Sequence, residues 1–135
     1  MISIVVDTSA YSAWRRGDRD ATSVVASADV FVVSPVVVGE LLVGFKGGSQ
    51  EKQNRQLLRQ FLDQPSTLLP PIDERTAEVY AQIASILKSE GRPIPANDIW
   101  IAATAQQMSV PLWSYDRHFR AVAGVRVVAT AADLK

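Results

Sequence analysis

The sequence predicts an α/β protein, a three-layer α/β/α sandwich around a mainly parallel central sheet. Three observations carry that reading. Short β-branched apolar runs alternate with helix-period stretches along much of the chain. The first run, Ile2–Val6, has no polar face, as a strand buried on both sides requires. Two aspartates, Asp7 and Asp116, stand just past strand ends, the edge at which open α/β sheets bind ligands.

The elements follow in order. Asp7-Thr8-Ser9 closes the first strand and offers capping residues for a helix over Ala10–Arg16. A short helix covers Ala21–Ser27, and Val30–Val33 is the second strand. Ser34-Pro35 reads as a cap and first-turn proline, starting a helix that runs to Phe45 and ends near Gly47-Gly48. Glu51–Leu62 is an amphipathic helix and Thr67–Leu69 a brief strand. Ala77, Tyr80, Ala81, Ala84 and Leu87 mark a helix over Asp73–Ser89, stopped by Gly91 and Pro93. Asn97 is expected to cap the next helix, Asp98–Met108. Val110–Ser114 and Val125–Val128 complete the strands.

At 135 residues the chain suits one domain over 1–135, with a core large enough to fold without disulfides or metals. Fourteen basic and fourteen acidic side chains cancel, which excludes a generally basic nucleic-acid coat but not a local patch. The absence of cysteine excludes thiol catalysis, cysteine zinc sites and disulfide scaffolds. A single histidine, His118, excludes a multi-histidine centre. No apolar run reaches membrane-spanning length, and Met1–Val6 lacks the basic flank of a signal peptide, so a cytoplasmic protein is expected.

Some acids stand in apolar surroundings. Asp7 is the only charged side chain before Arg15, Glu40 the only one between Asp29 and Lys46, and Asp98 the only one between Arg92 and Asp116. Glu40 follows Val37 and Val36 by three and four residues, sharing their helical face, and Asp98 shares a face with Ile101, Ala102 and Ala105. A lone buried carboxylate costs several kcal/mol or protonates. No Lys or Arg is near Glu40 or Asp98 in sequence to offset that cost.

One solution gathers the acids around a hard divalent cation with oxygen ligands, Mg²⁺ or Mn²⁺. Such a cation acidifies water and neutralises charge on a phosphodiester, so metal-assisted phosphodiester hydrolysis is the natural reaction class. Taken singly, each acid except Glu40 has a structural reading as well. Asp7 can end a strand or cap a helix, Asp98 can complement a helix dipole, and Asp116 can serve a turn. Glu40 fits neither a cap nor a turn, but it can reach solvent or a distant Arg. Thr8 and Ser114 are candidate supports for coordinated water, and Trp14, Trp100 and Trp113 read as packing residues.

Four segments resemble the motifs of PIN domains: Val5-Val6-Asp7-Thr8-Ser9-Ala10; Gly39-Glu40-Leu41-Leu42-x-Gly44; Asn97-Asp98-x-x-Ile101-Ala102-Ala103-x-Ala105; and Leu112-x-Ser114-x-Asp116-x-His118-Phe119. With this length, the chain is most similar to the VapC toxins of type II toxin–antitoxin systems. The resemblance implies a Mg²⁺- or Mn²⁺-dependent endoribonuclease that forms homodimers and is inhibited by a VapB-type antitoxin. It also implies that Asp7, Glu40, Asp98 and Asp116 carry the metal, with Thr8 and Ser114 in support. Some members have a further acid or Asn shortly after the fourth motif, whereas no acid follows Asp116 here until Asp133.

Charge near the motifs suggests how RNA would be held. Arg15, with Arg16 and Arg19, follows the first motif, and Arg117, His118 and Arg120 stand at the end of the fourth. On the strand-end face these groups would grip phosphates without reading sequence, and on any other face they are a solvated surface. Other α/β phosphotransfer classes lack their marks: no Walker motif occurs, and Ser9 stands where a haloacid-dehalogenase-type phosphatase needs a second Asp. The remaining alternative is a catalytically silent PIN-like module that binds RNA or protein.

Overall fold

The computed structural model describes residues 1–135. Five strands form one sheet in the order β3-β2-β1-β4-β5, and every neighbouring pair is parallel. They are β1 (Ser3–Val6), β2 (Val30–Val32), β3 (Thr67–Leu68), β4 (Leu112–Trp113) and β5 (Val127–Val128). The helices are α1 (Thr8–Arg15), α2 (Arg19–Ser27), α3 (Pro35–Lys46), α4 (Glu51–Asp63), α5 (Glu74–Ser89) and α6 (Ala96–Met108). Short 3-10 turns cover Arg117–Ala121 and Ala131–Leu134. The architecture is the α/β/α sandwich expected, and the sheet is wholly rather than mainly parallel.

The strands are short and their residues are largely buried. Ile4, Val5, Val6, Val32, Leu112 and Trp113 are all 0–1 % exposed. Pairing extends past the narrow bounds of β4: Val5 N–H donates to Pro111 O, and Ser114 N–H donates to Val128 O. The tryptophans serve packing. Trp113 is fully buried, Trp100 stacks on Tyr80 at 4.1 Å, and Trp14 packs against Tyr11 and Phe61.

Helix starts match the expectation at α3 and depart from it at α1 and α6. Ser34 accepts from Val36 N–H, with Pro35 in the first turn, as expected. Asp73 caps α5 in a reciprocal box with Thr76, which ties the helix start to its own first turn. Asn97 is not a cap. Pro95 takes that position with extended backbone, α6 begins at Ala96, and Asn97 lies inside the first turn with its side chain free for other work. Helix α1 likewise begins at Thr8, two residues earlier than expected.

The Asp73 cap gives a testable consequence. Its carboxyl is held below the usual range, chiefly by the Thr76 backbone N–H. An acid whose folded pKa is lowered adds stability above its unfolded pKa, and that stability is lost as pH falls through the folded value. Asp73→Ala is therefore expected to lower Tm by a few degrees at neutral pH. The deficit should vanish in acid, and thermal melts of both proteins from pH 7 to pH 3 check it.

Candidate active site

The order β3-β2-β1-β4-β5 means that the chain builds outward from β1 in one direction and then from β4 in the other. The reversal falls between β1 and β4, which pair directly through Val6 and Trp113. Helices leaving adjacent strands diverge there, opening a crevice beyond the strands' carboxyl ends. Asp7 follows β1 and Asp116 follows β4, so both reach that crevice. Asp98 enters from the first turn of α6 and Glu40 from the middle of α3.

Two hydroxyls fix Asp7, which is 3 % exposed. Ser9 Oγ and Ser114 Oγ each donate to its Oδ2 at 2.7 Å. Both serines also accept backbone N–H groups of the loop after β4, Ser9 from Tyr115 and Ser114 from Asp116, each at 3.0 Å. Asp7 and the start of the Asp116 turn are thus parts of one hydrogen-bonded frame. Although Asp7 sits at the cap position of α1, its side chain does not cap the helix. Burial pushes its carboxyl up, against the two serine hydroxyls, which pull it down.

Asp98, 7 % exposed, and half-buried Asp116 face each other across His118. The ring Nδ1 lies 2.7 Å from Asp98 Oδ2 and 3.2 Å from Asp116 Oδ1. Burial raises the Asp98 carboxyl; the His118 bond pulls it down, and the charges of Asp116 and Asp7 push it up further. The hydrogen bond to Asp98 raises the imidazole in turn. One ligand atom each from Asp98, Asp116 and His118 lies within 4.8 Å of the others; Asp7 and Glu40 are outside that set.

Glu40 is half-buried rather than packed away. Thr8 Oγ1 donates to its Oε1 at 2.6 Å, and Asn97 Nδ2 reaches its Oε2 at 3.3 Å. The two hydroxyl residues expected to support water are therefore bound to carboxylates, Thr8 to Glu40 and Ser114 to Asp7. Asn97, read from sequence as a cap, bridges the Glu40 and Asp98 elements. The signal was Pro95, whose fixed φ lets it start the helix and leaves Asn97 unengaged.

The basic residues divide. Arg117 and Arg120 line a cleft of about 380 Å³ with Ser114, Tyr115 and Asp116, directly beside the acids. Arg15 lies elsewhere: its guanidinium sits 3.9 Å over the Trp14 ring, donates to Tyr11 Oη at 3.1 Å and reaches Leu57 O. It ties α1 to α4. Lys46, at the end of α3, and Arg55 pair with Glu51, and Arg59 pairs with Asp63, so these cations are engaged by acids of α4. No Lys or Arg forms an ion pair with Asp7, Glu40, Asp98 or Asp116.

Residues 4–125 match the PIN domain family. A ribonuclease VapC of Rickettsia bellii is 34% identical over 114 residues, covering 82% of this chain and 83% of that protein. Ribonuclease VapC4 of Mycobacterium tuberculosis is 34% identical over 97 residues, 71% of this chain and 74% of that one. Among solved structures, VapBC-5 from M. tuberculosis, a member of the VapBC family of toxin–antitoxin systems, superposes with a TM-score of 0.73. It is 26% identical, with 96% of this chain and all of that chain covered. With a family match spanning the sheet from β1 to the edge of β5, and VapC relatives a third identical over most of their own length, the chain belongs to the PIN-domain family, in its VapC branch.

Proposed function

We propose that this protein is a divalent-metal-dependent endoribonuclease, the toxin of a toxin–antitoxin pair, with Asp7, Glu40, Asp98 and Asp116 as its acidic centre. The observation that carries the reading is the convergence of carboxylates on the β1–β4 crevice without a single Lys or Arg partner. Asp7 and Asp98 are buried, and a buried carboxylate needs a counter-charge. The donor set, carboxylate oxygens with one imidazole nitrogen, fits Mg²⁺ or Mn²⁺ and not a thiolate-seeking metal. When bound, such a cation acidifies water and neutralises charge on a phosphodiester.

The chain's own residues do the rest. Asp98 and Asp116 would hold the cation, Asp7 would add charge from the frame made by Ser9 and Ser114, and Glu40 is aimed by Thr8 and Asn97. Arg117 and Arg120 grip RNA phosphates in the adjoining cleft, which positions the scissile bond without reading sequence. Attack by water on phosphorus breaks the bond to the 3′ oxygen, leaving 5′-phosphate and 3′-hydroxyl ends. Mapping the ends of cleaved RNA tests this, and 2′,3′-cyclic phosphate ends would contradict it.

The partner is a VapB-type antitoxin, in keeping with the toxin–antitoxin complexes whose toxin chains share this fold. An open, shallow depression lined by Val36, Gly39, Glu40, Val43 and Asn97 adjoins the acids and suits a blocking segment. The working form is a homodimer in the cytoplasm, as for the VapC toxins the motifs resemble. No helix is long and apolar enough to cross a membrane.

Ser114 gives a graded test. Removing its hydroxyl deprives buried Asp7 of a donor and the Asp116 N–H of its acceptor. Ser114→Ala is expected to slow RNA cleavage by about 10–100-fold, the usual cost of losing an orienting partner at such a site. Initial rates at saturating metal check it, and an unchanged rate would remove Ser114 from the site.

A further inference from the structure

His118 is the chain's only histidine, and its ring is engaged with two of the acids. Half of its side chain is exposed, yet Nδ1 faces inward, 2.7 Å from Asp98 Oδ2 and 3.2 Å from Asp116 Oδ1. The pose is built in. Asp116 Oδ1 accepts the His118 backbone N–H at 2.9 Å, capping the 3-10 turn that carries the ring. Phe119, next in sequence, is 1 % exposed and anchors that turn in the core. Adjacent ligand atoms of an octahedral cation, each about 2.1 Å from the metal, stand about 3 Å apart. The two spacings from Nδ1 bracket that value. No other basic side chain competes for Asp98 or Asp116.

We propose that His118 Nδ1 is a direct ligand of the cation held by Asp98 and Asp116, which makes the site a mixed nitrogen–oxygen centre selecting Mn²⁺ over Mg²⁺. The inference rests on the metal-dependent reading above and replaces the expectation that His118 touches RNA. Mg²⁺ is held by oxygen and keeps its waters, whereas Mn²⁺ shares that oxygen preference but, as the first member of the transition series, accepts nitrogen more readily, so a nitrogen in the set favours Mn²⁺ over Mg²⁺. Ligation through Nδ1 releases the proton that Nδ1 shares with Asp98 and leaves the remaining ring proton on Nε2.

Pulsed electron paramagnetic resonance on the Mn²⁺-loaded full chain tests the proposal without any activity assay. With a single histidine, imidazole ¹⁴N coupling has one source in the sequence. The expected result is such coupling in the wild type. By titration calorimetry, His118→Ala and His118→Gln should each weaken Mn²⁺ binding about tenfold or more and Mg²⁺ binding by less than about threefold. Wild-type protein that binds Mn²⁺ with no imidazole coupling would overturn the proposal and leave the carboxylate site standing. Tighter Mn²⁺ binding in both variants would also overturn it, marking the ring as a competitor for the cation. A wild type that binds neither Mn²⁺ nor Mg²⁺ would overturn this proposal and the metal-dependent reading together.

Discussion

Asp7→Asn is expected to reduce RNA cleavage by about 10²–10³-fold or more, the scale on which a fixed electrostatic group acts in a desolvated site. The same change should leave the fold intact and raise the Tm of metal-free protein. The two effects share one cause. Asp7 is 3 % exposed, and burial raises its carboxyl against the Ser9 and Ser114 bonds. An acid whose folded pKa is raised carries a penalty that is fully present above that pKa and is relieved as pH falls through it. Asparagine has the same shape, and its oxygen can accept both serine hydroxyls that Oδ2 accepts. It removes the charge and with it the penalty. A charge that costs stability in the empty site and is indispensable for turnover marks a group kept for function. Circular dichroism, thermal melts in EDTA and initial rates check the three parts. Full activity in the variant would exclude Asp7 from the acidic centre.

Metal addition should produce the second large effect. At a concentration about 100 times its Kd, Mg²⁺ or Mn²⁺ stabilises the folded state by about 2.7 kcal/mol. For a domain of this size that is a Tm rise on the order of 10 °C. The gain should reverse with EDTA and shrink as pH falls, because the cation competes with protons for the same carboxylates. Metal-free protein should show the opposite trend at Asp7, gaining stability as pH falls through its raised pKa. Thermal melts with and without metal at several pH values separate the two. A Tm indifferent to Mg²⁺, Mn²⁺ and EDTA alike would argue for the silent binding module.

The acids that sequence reasoning placed most securely are those whose position follows from local rules. Asp7 and Asp116 end buried strands, and a parallel sheet sends such residues to its ligand-binding edge. Asp98 shares a helical face with Ile101, Ala102 and Ala105, all buried, so it had to face inward. Glu40 obeys the same rule less strictly: α3 is apolar nearly all round, so its pattern does not fix one inner face.

What stayed hidden depends on contacts far apart in sequence. Arg15 looked like a phosphate ligand, but its guanidinium is claimed by Tyr11, Trp14 and a carbonyl 42 residues away. Asn97 is no cap because Pro95 takes that position and starts the helix two residues earlier than the pattern predicts. The inward turn of His118 rests on a 3-10 turn capped by Asp116, a piece too short to leave a periodic signature. Ser9 and Ser114, 105 positions apart in sequence, reveal their joint hold on Asp7 only when β1 and β4 lie side by side.

The central claim is that these carboxylates cut RNA through a bound divalent cation. Its most direct test incubates the purified chain with a mixed RNA pool in Mg²⁺ or Mn²⁺, beside EDTA and Asp7→Asn controls. Cleavage that requires the metal and disappears in the variant is the predicted result. Cleavage that survives EDTA and Asp7→Asn, or none on any RNA from protein that binds no metal, would contradict the account.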